Sequence, residues 1–358
     1  MKFEEYIDTL IKEKVFPGVS ILFSEKGKVL LYKNYGNLSL NPDKLKMVND
    51  PIYDLASLTK PLVTSFLTLK MVEMNELSLQ SKIESFFSGF DNRMEIKHLL
   101  THTSGLPAWY PLYLSDSDYL NTIKNLKPIS KPGRRVIYSC MGYILLGFIL
   151  ERIYGESLDK IADKIIFKPL KMDDSFFKIP SSKIERVAPT EEGNEFEKRL
   201  VEEKFSSLCG NFRWREKIIR GQVHDNNSFY LKRAAGNAGL FSTAMDIFKF
   251  SKEFFPDKAT IIKPETVKLF WKNFTPFKRS SRTVGFKLNY SLSSSGGRAL
   301  SLGAIGHNGF TGTSVWLENG RERVYIILSN RVHPQVDSSV NFDKIRRKIH
   351  YLIKRENI

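Results

Sequence analysis

The chain has 358 residues, 42% hydrophobic and 26% charged, a composition typical of a soluble globular protein. Its formal net charge of +16 suggests nucleic-acid binding, but the basic residues are dispersed and accompany no zinc-finger, RNP or basic-zipper pattern, so we expect no nucleic-acid partner. No apolar run approaches the roughly 20 residues that span a bilayer, and no signal peptide is visible, so we expect a cytoplasmic protein without a membrane span.

The first predicted elements are a helix over residues 3–14 and a hairpin with strands at 19–23 and 29–32 around Lys26-Gly27. Apolar residues at helical spacing then predict a mainly helical middle, with helices around 60–74, 96–101, 141–165 and 244–255.

Between these helices, the polar stretch from Pro180 to Glu203 has little periodicity, and we expect a long surface excursion there. Near the other end, strands at 314–317 and 324–328 flank Asn319-Gly320, a strong hairpin signal. A terminal helix follows, because apolar residues recur at helical spacing from Phe342 to Ile353.

These elements predict an α+β fold in which both terminal hairpins pair in one antiparallel sheet flanked by helices, with a mainly helical domain inserted between them. We place the sheet domain at residues 1–58 plus 234–358 and the helical domain at 59–233. An active site is expected in the cleft between them.

The candidate nucleophile is Ser57, in an S-x-x-K motif completed by Lys60. The two residues would share one helix face, so that a desolvated, neutral lysine could take the serine proton. Pro61 fits a helix start at this point. Ser157 and Ser175 begin further S-x-x-K matches, but neither has accompanying signals, and Ser157 is better explained as a helix cap.

Two further segments carry a family resemblance. The run Tyr138-Ser139-Cys140 resembles the Tyr-x-Asn element of the β-lactamase-related serine hydrolases, a family of class C β-lactamases, D,D-peptidases and esterases. The run His307-Asn308-Gly309 resembles their Lys-Thr-Gly element in its His-x-Gly form. With the segments 99–106, 223–225 and 238–244, the resemblance covers roughly residues 16–334 and implies the same sheet-and-helix fold.

The resemblance also implies roles for these residues. Tyr138 would move protons between nucleophile and leaving group, and the backbone N–H groups of Ser57 and Phe310 would form the oxyanion hole. Cys140, His307, Asn308 and Gly309 would contact substrate.

Two residues depart from the family pattern. Cys140 stands where the family usually has Asn, and a thiol is a weak hydrogen-bond donor. His307 stands where β-lactamases and D,D-peptidases have Lys, and neutral imidazole supplies no charge for a carboxylate. Both changes argue against efficient penicillin or D-alanyl-D-alanine chemistry, while the nucleophile, base and oxyanion hole suffice for an activated ester.

Competing mechanisms have weaker support. A Ser-His-Asp triad lacks the G-x-S-x-G turn, and no HExxH motif indicates a metal. His102 and His224-Asp225 are interpreted as structural, and Cys140 and Cys209 as free thiols.

We therefore expect a serine hydrolase that acts through an acyl-enzyme on a small ester, an amide or a muropeptide fragment, without metal or organic cofactor. The alternative is a protein of the same fold that only binds a ligand, or is acylated without turnover. The oligomeric state is left open.

Overall fold

The computed structural model describes residues 1–290, 294–356 and 358 of the chain. Its strands are β1 Gly18–Glu25, β2 Lys28–Ser39, β3 Leu45–Lys46, β4 Tyr53–Asp54, β5 Phe241–Ser242, β6 Lys287–Leu288, β7 Ile305–Asn308, β8 Ser314–Glu318 and β9 Arg323–Ser329. Its α-helices are α1 Phe3–Lys12, α2 Phe66–Glu73, α3 Ile96–Leu100, α4 Tyr119–Asn125, α5 Cys140–Tyr154, α6 Leu158–Ala162, α7 Glu195–Lys204, α8 Ser206–Cys209, α9 Asn226–Tyr230, α10 Ala244–Ser251, α11 Pro264–Trp271 and α12 Phe342–Arg355.

In the part of the chain that the structure describes, seven strands form an antiparallel sheet in the order β3-β2-β1-β9-β8-β7-β6. The N-terminal hairpin β1–β2 and the C-terminal hairpin β8–β9 meet at the β1–β9 pair, in which Val19 lies opposite Ser329. The predicted sheet built from both chain ends is therefore confirmed.

The two faces of the sheet are covered by different helices, because successive side chains of a strand point to opposite sides. In β9, Ile326 joins the core formed with the middle helices, and α10 packs on this face. Its neighbour Ile327 joins a second core formed with α1 and α12. Helices therefore flank the sheet on both sides, as predicted.

The terminal helices match the prediction closely. α1 ends at Lys12, and Lys14 has φ 57°, a left-handed backbone conformation that a helix cannot continue through. α12 buries Ile345, Ile349 and Leu352 on one face, as the helical spacing predicted.

The helical middle differs from the prediction in one place. The range 141–165 contains two helices, because α5 stops at Gly155, which has φ 70°, and α6 begins at Leu158. A glycine in this conformation is a common helix end.

The predicted surface excursion at 180–203 is wrong. Val187, Glu191 and Val201 are buried, and helix α7 occupies the end of the segment. The amphipathic signal is weak because α7 is mostly charged and because the segment is held partly by a polar contact. The Glu191 carboxylate lies 2.9 Å from Nε2 of His224, and both side chains are buried.

Three further expectations concern the whole chain. Within the described ranges, no helix is long and apolar enough to cross a membrane. Cys140 and Cys209 are both free thiols. The cytoplasmic location and the division into 1–58 plus 234–358 and 59–233 stay predictions.

Candidate active site

Ser57 lies in a strained turn ahead of helix α2. The 3-10 turn Ala56–Leu58 leads into the π-helical segment Lys60–Ser65 and then into α2. Ala56 has φ 46°, a left-handed conformation that a residue with a Cβ rarely adopts. Its N–H donates to Oδ1 of buried Asp54 at 2.8 Å, which stabilises the turn. Such strain is typical of functional sites, and Ser57 here lines a cavity.

The side chain of Lys60 reaches the hydroxyl of Ser57. Nζ of Lys60 lies 2.9 Å from Oγ of Ser57 and 2.8 Å from the backbone oxygen of Asn237. Lys60 is fully buried, and among the described residues no carboxylate forms an ion pair with it. The structure thus brings together the two residues of the S-x-x-K motif, with the lysine desolvated.

The protonation of Lys60 depends on its neighbours. Burial lowers the pKa of Lys60, but negative charge on Cys140 and Tyr138 and a hydrogen bond with Tyr138 raise that pKa above its ordinary value. Burial raises the pKa of the Cys140 thiol, whereas the nearby Lys60 lowers it. The net effect raises the pKa of Lys60, so its resting form is the ammonium, and burial is the influence that favours loss of its proton when it acts as a general base.

Tyr138 faces both Lys60 and the cavity. The Lys60 Nζ lies 5.2 Å from the centre of the Tyr138 ring. The ring is held from behind by His102, whose own ring centre is 4.4 Å away. Nδ1 of His102 accepts a hydrogen bond from the N–H of Ser139 at 3.0 Å, and the His102 carbonyl accepts one from Ile137 at 2.8 Å. His102 therefore positions the segment that carries Tyr138.

Strand β7 and the loop after it form the opposite wall. β7 lies against the turn that carries Ser57. Beyond it, the hydroxyl of Thr311 donates to the carbonyl of Asp54 at 2.7 Å, and that of Thr313 donates to the carbonyl of Leu55 at 3.0 Å. These two hydrogen bonds hold the loop after β7 against the backbone that immediately precedes Ser57.

Gly309 allows the loop after β7 to approach this backbone closely. A Cβ at this position would lie 2.0 Å from Oγ1 of Thr313 and 2.4 Å from the carbonyl oxygen of Leu55. A glycine is required because the two backbones approach so closely. Phe310, the next residue, lines the same cavity as Ser57, as the oxyanion-hole prediction requires.

The geometry can be compared with known proteins. The chain matches the Beta-lactamase family over residues 3–348. The chain belongs to this family. A putative D-alanyl-D-alanine carboxypeptidase of Escherichia coli O157:H7 is 28% identical over 92% of this chain and 82% of its own length. An N-acetylmuramyl-L-alanine amidase of Bacillus subtilis is 25% identical over 94% of this chain and 82% of its own.

The fold is also that of solved members. The octameric penicillin-binding protein homologue from Pyrococcus abyssi superposes with a TM-score of 0.73 at 21% identity, over 99% of this chain and 77% of that one. The predicted family and fold are thus confirmed, and the chain is a serine hydrolase of the Beta-lactamase family.

The first departure from the family pattern, Cys140, lies near Lys60, and its contact with substrate stays a prediction. It is the first residue of α5, and its N–H donates to the carbonyl of Ala108 at 2.8 Å. Its thiol is close enough to Lys60 for the two to shift each other's pKa. Cys140 thus occupies the place of the family's asparagine beside the lysine.

The second departure, His307, is neutral. Its Nδ1–H donates to the backbone oxygen of Asn308 at 2.9 Å, which leaves Nε2 as a hydrogen-bond acceptor. That atom is buried without a partner among the described residues, and the residue lines the cavity. Burial, then the cations Lys60 and Arg282, hold the pKa of His307 well below its usual range. His307 therefore has a free hydrogen-bond acceptor rather than a positive charge, and its contact with substrate stays a prediction.

Asn308 lines the same cavity, where two other lining residues hold its side chain. Its Nδ2 donates to Oγ of Ser295 at 2.9 Å and to Oδ1 of Asp343 at 3.0 Å. The same Asp343 oxygen accepts from Nη1 of Arg346 at 2.8 Å. The contact of Asn308 with substrate stays a prediction.

Sequence reasoning missed the charge of the cavity. The cavity has a volume of about 500 Å³, and Arg282, Lys287, Arg331 and Arg346 line it together with one acid, Asp343. Arg346 is paired with that acid. Within the described ranges, neither the guanidinium of Arg282 nor the ammonium of Lys287 has a hydrogen bond or ion pair, and Nε of Arg282 is buried.

These two cations are close to one another and to the catalytic tyrosine candidate. Burial, then the charge of Arg282, lowers the pKa of Lys287. The Arg282 guanidinium lies 5.6 Å from the centre of the Tyr138 ring. An isolated antiparallel β-bridge pairs residue 282 with residue 287, so both lie on the side of the cavity that strand β6 forms. In the sequence, Arg282 follows Lys278 and Arg279 closely, but this short basic stretch does not by itself indicate a site.

The other candidates lie elsewhere or have structural partners. Oγ of Ser175 lies 2.8 Å from that of Ser242, and Ser157 lines a different cavity. His224 contacts Glu191, whereas Asp225 accepts from the N–H of Ser228, so these sequence neighbours face different partners. Among the described residues, no group of three or more His, Cys, Asp or Glu could hold a metal.

Proposed function

We propose that this protein hydrolyses an amide or ester through a covalent acyl-enzyme on Ser57. The observation that carries the proposal is the 2.9 Å contact between Oγ of Ser57 and Nζ of a fully buried Lys60. Desolvation opposes the charge that the neighbours of Lys60 favour, and once the ammonium has given up its proton, the amine at this distance can take the serine proton.

The other residues would complete the reaction. As Ser57 Oγ bonds to the substrate carbonyl carbon, its proton passes to Lys60, and the N–H groups of Ser57 and Phe310 stabilise the oxyanion. Tyr138, in contact with Lys60, passes a proton to the leaving amine or alcohol as the carbonyl–leaving-group bond breaks. Water then attacks the acyl-enzyme by the reverse proton path, which releases the acid and restores Ser57.

The substrate that best fits the cavity carries a carboxylate. Among the described residues, the Arg282 guanidinium and the Lys287 ammonium have no hydrogen bond or ion pair, and a partly buried cation without one is costly unless a ligand anion offsets it. Arginine is well suited to bind a carboxylate through two hydrogen bonds. A muropeptide-like amide has such a group, and two relatives are named for a carboxypeptidase and an N-acetylmuramyl-L-alanine amidase activity.

Turnover tests the nucleophile. Wild type, Ser57→Ala and Ser157→Ala are compared on p-nitrophenyl acetate, p-nitrophenyl butyrate and nitrocefin, with intact mass recorded after each reaction. We expect turnover in wild type and in Ser157→Ala, the matched control because Ser157 begins another S-x-x-K motif, and none in Ser57→Ala. A stable adduct without turnover would instead favour the acylation-only alternative, which the weak donor Cys140 makes a real candidate. No turnover and no adduct would favour a ligand-binding protein.

The substrate class is tested with Arg282→Gln. A peptide ending in D-alanyl-D-alanine is offered with a free or an amidated C-terminus, and p-nitrophenyl acetate serves as the uncharged reference. Loss of a charge-assisted hydrogen bond of about 1.5–3 kcal/mol predicts about a 10- to 100-fold lower kcat/KM on the free acid alone. An equal loss on all three substrates would refute a role in carboxylate binding.

A further inference from the structure

A loop beside the active site presents a fully exposed phenylalanine. Phe277 has a relative exposure of 107% and φ 63°, a left-handed conformation in which a glycine would be less strained. The loop is nevertheless a closed turn. Buried Thr275 donates from Oγ1 to the carbonyl of Ser280 at 2.9 Å and accepts from the N–H of Arg282 at 2.7 Å. The turn thus holds an aromatic ring in solvent at its apex.

A second loop lies against the first and adds charge. Nζ of Lys278 donates to the backbone oxygen of Arg134 at 3.2 Å, which joins residues 127–135 to residues 277–279. We call these two segments the basic loop pair. They carry six cations: Lys127, Lys131, Arg134, Arg135, Lys278 and Arg279.

The positive charge of the basic loop pair is not offset locally. The sequence has no acidic residue between Asp118 and Glu151 or between Glu265 and Glu318. Within the described ranges, none of the six cations forms an ion pair. A second apolar side chain, Ile129, is 52% exposed in the same segment. The basic loop pair therefore carries two exposed apolar side chains, one on each loop, and six positive charges.

We propose that the basic loop pair binds an anionic membrane surface, with Phe277 and Ile129 inserted at the level of the lipid head groups. Apolar side chains bordered by Lys and Arg are the combination that holds proteins at such an interface, because burial and attraction to anionic lipids act together. A nucleic acid would match the charge and could stack on Phe277, but it leaves the aliphatic Ile129 without a role.

The position of the basic loop pair relates this surface to the active site. Arg282, which lines the Ser57 cavity, follows the Phe277 turn directly, and Tyr138 follows Arg135 by three positions. Binding at this surface therefore holds the cavity next to the membrane.

Co-sedimentation with vesicles tests the proposal. The full chain is mixed with vesicles of phosphatidylcholine alone or with added phosphatidylglycerol, at low and high salt. We expect binding only to the anionic vesicles, weakened by salt. Phe277→Asn, which tolerates the left-handed turn, should bind about tenfold more weakly, whereas Phe277→Leu, which stays apolar, should bind nearly as well as wild type.

A pair of charge reversals supplies the control. Arg134→Glu with Arg279→Glu should abolish vesicle binding, whereas Lys44→Glu with Lys46→Glu, exposed residues at the β3 edge of the sheet, makes the same change in net charge and should retain it. Turnover of p-nitrophenyl acetate checks that each variant is folded. Equal losses in both double variants would overturn the proposal, because binding would then follow net charge alone. So would binding of a DNA fragment that exceeds vesicle binding and is lost in Phe277→Leu.

Discussion

Replacement of Gly309 by alanine should disable the oxyanion hole while leaving the nucleophile in place. The new Cβ would lie 2.4 Å from the carbonyl oxygen of Leu55 and 2.0 Å from Oγ1 of Thr313. The first contact is with backbone, so no side-chain rotation can relieve it, and the loop must move away from the turn that carries Ser57. Phe310 moves with that loop. Loss of one oxyanion donor lowers kcat by about 100- to 1000-fold.

The matched control is Gly320→Ala, because a Cβ there would meet nothing within 4 Å and the backbone is not left-handed. Both variants are assayed for kcat on a p-nitrophenyl ester and for acylation by intact mass, and thermal unfolding checks that they are folded. We expect slow acylation in Gly309→Ala and wild-type rates in Gly320→Ala. A folded Gly309→Ala protein with kcat within a few-fold of wild type would refute the assignment of Phe310 to the oxyanion hole.

Three further predictions concern single side chains. Tyr138→Phe should lower kcat/KM on esters by about a hundredfold or more, since it removes the proton carrier; near-wild-type activity would exclude Tyr138 from proton transfer. Cys140→Asn should raise nitrocefin turnover because it restores an amide donor beside Lys60. Unchanged turnover would refute the view that the thiol of Cys140 limits lactam hydrolysis. Burial, then the charge of Asp225, raises the pKa of Glu197 from 4.5 to about 7. Because the pKa is higher in the folded protein, protonated Glu197 stabilises the fold. This contribution to the free energy of unfolding is complete below about pH 4.5 and is lost as the pH rises through about 7, a decrease of about 3 kcal/mol. The variant Glu197→Gln keeps a hydrogen-bond partner for Tyr113 but cannot titrate, so its free energy of unfolding, measured with denaturant, should not show this decrease with pH. Equal pH profiles for wild type and Glu197→Gln would contradict the prediction.

The parts of the fold that the sequence predicted well are those encoded by local chemistry. Lys26-Gly27 adopts left-handed conformations at both positions, the geometry that a two-residue hairpin turn requires, and it joins β1 to β2. The spacing of Ser57 and Lys60 likewise places both side chains on one side of a helical turn, and the 2.9 Å contact follows from it. Short-range patterns therefore predicted the hairpins and the central pair of the site.

The parts that were missed depend on contacts between distant segments. The carbonyl of Asn237 accepts a hydrogen bond from Nζ of Lys60 and lies 177 positions away in the sequence. Because every residue has a backbone carbonyl, the residue type at 237 could not indicate this contact. No sequence pattern marked Asp54, yet its carboxylate accepts hydrogen bonds from the N–H groups of Ala56 and His224. Segment 180–203 was mistaken for a surface excursion because a buried hydrogen bond between Glu191 and His224, rather than an apolar stripe, holds part of it in place.

The charge of the cavity shows how such distant contacts alter a functional argument. In the sequence, His307 replaces the family's lysine, which is the residue expected to bind a substrate carboxylate. In the structure, Arg282 lines the same cavity and has no ion pair within the described ranges, and after burial its charge and that of Lys60 lower the pKa of His307. Positive charge and hydrogen-bond acceptance thus reside on different side chains. A carboxylate can be bound at Arg282 without an ammonium in the position of His307, so the substitution of that lysine does not by itself remove carboxylate substrates.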